Sequence, residues 1–132
     1  MEKIIVQIGW CDNYCAASDE ILGCVACSDT IEGIKKEYRS ALDFHIKGML
    51  EDGDELPEKL KNEYELEFEL DTSAMLHSLD GIVTRKAIAK VTGINEALLT
   101  HYANGFRKPR PVQRQRIIDG IHQIGRELTL IG

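Results

Sequence analysis

Between Thr84 and Gly105 the chain carries side chains suited to reading base-pair edges: Asn95, Glu96, Ala97, Thr100 and His101. Asn can pair bidentately with adenine, Glu can accept from the cytosine amino group, and Ala or the Thr methyl can touch a thymine methyl. Thr84, Arg85, Lys86, Arg107, Lys108 and Arg110 flank them and are the candidates for DNA-backbone contact. Two other chemistries are present in outline. Asp12, Asp19, Glu20, Asp29 and Asp43 are carboxylates of the type that hold Mg²⁺ in a two-metal nuclease, where they must converge from strand and helix. The first strand has no acidic residue between Ile4 and Trp10, so such a site would lack its central ligand, and catalysis is not expected. Cys11, Cys15, Cys24 and Cys27 have a spacing that a four-thiolate zinc site tolerates. If Cys24 to Cys27 is a strand, those two side chains point to opposite faces, and four small buried or edge thiols are the expectation. No metal or cofactor is therefore expected. His45 falls on an apolar helical stripe, where a core or interface imidazole is expected.

The elements that must position these groups divide the chain in two. Lys3 to Ile8 is rich in β-branched residues, Asp12-Asn13 supplies turn chemistry, and Tyr14 to Ala17 resumes a strand. Cys24 to Cys27 after Gly23 predicts a third strand. Asp29 followed by Glu32 forms an Asp variant of the capping box, and Ile31, Ile34, Tyr38, Ala41, Leu42, Ile46 and Met49 recur at helical spacing up to Gly53. Asp52 to Asn62 reads as a solvated loop, and Tyr64 to Leu70 alternates with period two, Glu63, Glu65, Glu67 and Glu69 lining one face. Residues 1–70 are thus β-β-β-α-β. From Asp71 the pattern is helical throughout, with starts at Asp71 or Thr72, Thr84, Asn95 and Pro111. Ala89 is small where helices cross, Gly93 permits a tight turn, and Ile88, Ile94 and Leu99 pin the second helix of this region to the third. The fourth carries Ile117, Ile121, Ile124 and Leu128 on one stripe. The fold class is α+β, with residues 1–70 and 71–132 as separate small domains.

Charge separates the same halves. The 132 residues carry a formal net charge of −6. Met1 to Asp80 holds 7 Lys and Arg against 19 Asp and Glu, or −12, whereas Gly81 to Gly132 holds 9 against 3, or +6. A basic C-terminal piece suits a polyanion that the N-terminal piece would repel. Neither an apolar run long enough to span a bilayer nor a signal-like N-terminus is visible, and a cytosolic chain without a membrane partner is expected.

Over about Asp71 to Leu128 the chain resembles the phage-repressor (Xre-type) helix-turn-helix family, through the spacing of Ala89 and Gly93, Asn104-Gly105 and Lys108-Pro109. The N-terminal half resembles the HicB antitoxin family. The residues that carry this are Tyr14 to Val25, Asp29 to Glu32, Ala41 to Ile46, Leu50 to Gly53 and Leu56-Pro57; Ile124 to Leu128 extends it to the last helix. The chain departs from that family at Leu22 and Asp19, where Pro is common, and at Gly33, where Glu or Ala is usual. The resemblance implies a partial, non-catalytic RNase H-like domain that blocks a small basic HicA-type mRNA-cleaving toxin, followed by a helix-turn-helix that represses the shared operon. A homodimer or homotetramer is expected, because one helix-turn-helix reads one half-site. The alternative is a transcriptional repressor whose N-terminal domain senses a small ligand or only dimerises.

Overall fold

A computed structural model describes residues 1–132 and divides them into two compact units, Met1–Asp71 and Thr72–Gly132. In the first, β1 (Glu2–Trp10), β2 (Tyr14–Ser18), β3 (Ile21–Ser28) and β4 (Tyr64–Leu70) form one sheet in the order β3-β2-β1-β4. β1 pairs antiparallel with β2 and parallel with β4, so the chain crosses over through α1 (Ile31–Glu51) before the last strand. The alternation of β1 decides which face is covered: Ile4, Val6 and Ile8 are fully buried, joined by Ala16, Ile21 and Cys24 from the neighbouring strands. Ile34, Tyr38 and Leu42 of α1, spaced four apart on one helical face, close over them. Each such fully buried aliphatic side chain stabilises the unit by about 1.5–3 kcal/mol.

Several details differ from the sequence expectation. The cap of α1 is Thr30, whose Oγ1 accepts from the Gly33 amide at 2.9 Å, and not Asp29. β3 begins at Ile21 and runs through Gly23, which takes φ +84°. The register there shifts: Ala17 faces Val25, but Ser18 faces Ile21. Ser18 and Glu20 close the resulting gap, the Ser18 hydroxyl donating to the Ile5 carbonyl at 2.6 Å and a Glu20 carboxylate oxygen accepting from the Ile5 amide at 2.9 Å. The expected loop 52–62 contains a 3₁₀ turn, Glu58–Leu60, because Leu60 is buried beneath it. The cysteines are not four separate thiols. Cys15 and Cys27 lie directly opposite in the β2–β3 ladder and form a disulfide, while Cys11 is exposed and Cys24 buried.

The second unit contains α2 (Thr72–Ser78), α3 (Arg85–Thr92), α4 (Glu96–Ala103) and α5 (Pro111–Thr129). Its core gathers Leu76, Ile88, Ile94, Leu99, Tyr102, Ala103 and Ile117. Gly120 fixes how α5 crosses α3: a Cβ there would collide with the Thr92 methyl and sit 3.3 Å from a Val91 methyl. Beyond that crossing the cover of α5 thins, with Ile121 and Ile124 still packed against this core. Ile121 and Ile124 are half-buried, and Leu128, expected on the buried stripe, is exposed. No helix is long and apolar enough to cross a membrane.

Candidate functional site

The base-reading candidates cluster around α4. Thr84 caps α3, its Oγ1 accepting from the Ala87 amide at 3.0 Å. Gly93 ends that helix in the left-handed region at φ +73°, with its amide on the Ala89 carbonyl at 2.9 Å. Thr92 ties the corner, donating to the Ile88 carbonyl and accepting from the Ile94 amide, and buried Ile94 anchors it from below. Asn95 then starts α4, its Oδ1 accepting from the Ala97 amide at 2.8 Å. The Asn95 oxygen that would accept from adenine thus serves first as a helix cap.

Leu99, Tyr102 and Ala103 bury one side of α4, and Glu96, Ala97 and His101 remain exposed on the other, with Thr100 half-buried between. Lys86, Arg107, Lys108 and Arg110 are exposed and make no ion pair. Arg85 is less free than these four. Its guanidinium lies 3.6 Å from Asp80, its Nε is buried without an acceptor, and its side chain is 23% exposed, so it is held to the protein first. Arg116 is also committed: it donates to the Thr92 carbonyl at 2.7 Å and to the Gln113 amide oxygen at 2.9 Å, closing the C-terminus of α3.

Sequence reasoning missed Phe106. It is 76% exposed in the loop after α4, with its ring edge-on to His101 at 6.1 Å and cations following at Arg107 and Lys108. The signal was a lone aromatic in a loop of Gly, Lys, Arg and Pro. Such a side chain can pack on sugars or thymine methyls where a basic loop meets a duplex.

The alternative centres do not assemble. No group of three or more His, Cys, Asp or Glu side chains stands in metal-holding geometry. Glu20 is paired with Lys59, and this bond, with the Ile5 amide, holds its carboxyl below the usual range. Burial raises the Cys24 thiol pKa and that of the adjacent Tyr38 hydroxyl. His45 is half-buried on α1, and its imidazole faces Gly23 of β3. A groove of about 580 Å³ opens between α1 and β4, lined by Arg39, Leu42, Asp43, Tyr64 and Leu66 among others.

No family model matches the chain. Over 46 residues, 35% of its length, it is 39% identical to an uncharacterized 14.9 kDa protein in the rep-hol intergenic region of Haemophilus phage HP1 (strain HP1c1). The match spans 35% of that phage protein as well.

Proposed function

We propose that this chain is the antitoxin of a type II toxin–antitoxin pair. Its acidic unit, a partial RNase H-like HicB domain, binds and neutralises a small basic HicA-like mRNA-cleaving protein. Its second unit, a helix-turn-helix, represses the shared operon, and the chain itself makes or breaks no bond. The observation that carries the reading is the occurrence, in one helical unit, of an exposed α4 surface (Glu96, Ala97, His101) and of the exposed, unpaired cations Lys86, Arg107, Lys108 and Arg110, in a chain whose N-terminal unit has the opposite charge. A duplex attracts the first and is repelled by the second, so the two units need different partners. The β-β-β-α-β order of unit one, with β4 added parallel to β1, supports the HicB resemblance.

A homodimer or homotetramer fits a two-fold operator. The uncovered end of α5, where Leu128, Leu130 and Ile131 are exposed, is a surface on which copies can meet. One observation favours the alternative of a ligand-sensing repressor: the α1–β4 groove has the size of a small-molecule pocket. Inducing the small reading frame beside this gene, alone and together with the full chain, separates the two readings. Growth arrest relieved by the chain is the expected result; a harmless neighbour, or arrest that the chain leaves untouched, favours the ligand sensor.

A further inference from the structure

The sheet of the first unit is covered on one face only. α1 packs on the side of Ile4, Val6 and Ile8, and the residues between them project the other way. The strand register determines what that second face displays. Along β1 and β4, Lys3 stands beside Glu65, Ile5 beside Glu67 and Gln7 beside Glu69. Across β2 and β3, Ala17 stands beside Val25, next to the Cys15–Cys27 disulfide. An acidic column therefore runs down one edge, its carboxylates about 6.6–6.8 Å apart along the strand. Beside it lies an apolar strip in which Ile5 is 40% and Val25 62% exposed. Ile5 is partly covered, with Glu20 on its amide and Lys59 on the Lys3 carbonyl, while Val25 stands open; exposed apolar side chains rimmed by charge are a form that interaction sites take.

We infer that this open sheet face is the docking surface for a basic protein, with Ile5, Ala17 and Val25 as its apolar centre and Glu65, Glu67 and Glu69 as its steering edge. The partner's sign follows from the charges. Met1 to Asp71 holds 18 Asp and Glu against 7 Lys and Arg, and Lys3 is the one cation among the strand residues of this face. A nucleic acid is repelled, and a second copy would bring like columns together. The exposed side of α1 is a poorer candidate, because Lys36, Arg39 and Lys47 interleave there with Glu32, Glu37 and Asp43 and cancel the field. On this face the apolar strip sets how long a complex lasts and the Glu column how fast it forms. The inference rests on the antitoxin reading for the identity of the partner.

The test uses the full chain and, as probe, the purified product of the adjacent small reading frame, with association and dissociation rates measured at two salt concentrations. Glu67→Lys/Glu69→Lys should slow association about tenfold and reduce its salt dependence. Val25→Arg should speed dissociation about tenfold or more, and the milder Val25→Thr less, in case the arginine disturbs the sheet. Glu37→Lys on α1 should leave both rates unchanged, and all variants should keep the wild-type affinity for DNA. If wild type binds the probe and the open-face variants bind equally well, the face is not the docking surface, although the antitoxin reading survives. If the same variants instead abolish self-association with probe binding intact, the face belongs to a second copy. If wild type does not bind the probe at all, both this inference and the antitoxin reading fall.

Discussion

Replacing Lys86, Arg107 and Lys108 together by alanine removes three exposed cations that make no ion pair within the protein. Folding stability should therefore stay within about 0.5 kcal/mol of wild type. DNA affinity should not. Each phosphate contact contributes about 0.9 to the slope of log affinity against log salt, so the triple variant should lose about 2.7 from that slope. Between about 50 and 200 mM salt this amounts to roughly fortyfold less salt-induced weakening than wild type shows. The assay is fluorescence anisotropy of a duplex from the chain's own promoter region, titrated at four salt concentrations. Two single variants calibrate it. Lys47→Ala, an exposed cation on α1, should leave the slope unchanged, and so should Arg85→Ala, because that guanidinium is engaged with Asp80. A triple variant with the wild-type slope would refute the assignment of these cations to phosphate contact.

Gly120→Ala should cost about 1–3 kcal/mol in denaturant unfolding of the helical unit, because the added methyl meets the Thr92 side chain where α3 and α5 cross. Gly125→Ala, with open space around it, should be neutral or slightly stabilising. Asn95→Ala should cost about 1 kcal/mol as a lost helix cap, and Asn95→Asp should restore stability; equal DNA affinity for Asp and Asn at this position would establish that the residue caps and does not read bases. Burial holds the Cys24 and Tyr38 pKa values above their unfolded values of about 8.5 and 10. The unfolded chain therefore releases these protons first as pH rises, and stability should fall progressively above about pH 8.5, less steeply in Cys24→Ala/Tyr38→Phe. An alkaline limb of equal steepness in that variant would show that other groups set it.

Where a signal is local, the sequence carried it through to the structure. Thr84, Asn95 and Pro111 start their helices where expected, since caps and a first-turn Pro act on the two or three amides that follow them. The strict alternation of Tyr64 to Leu70 placed its glutamates on one face, and the division of the chain falls within one residue of the expected boundary. What escaped depends on pairing between distant segments. Cys15 and Cys27 meet because of the β2–β3 register, which cysteine spacing does not reveal. Arg85 pairs with Asp80 because the turn before α3 brings the carboxylate back against it, a contact no local pattern announces. Gly120 had no visible purpose in a helical pattern until Val91 and Thr92 were seen against it. At the start of α1, Asp29 and Thr30 are both good caps, and one residue of offset in the incoming chain decided for Thr30.

The proposed role of the first unit is to silence a basic RNA-cleaving partner. The most direct test titrates the full chain into a cleavage reaction containing the purified product of the adjacent small reading frame and a labelled messenger RNA. Cleavage should fall linearly and stop near one copy of the chain per nuclease, with promoter DNA absent. Cleavage that continues at a large excess of chain, or a neighbour that cuts no RNA, would contradict it.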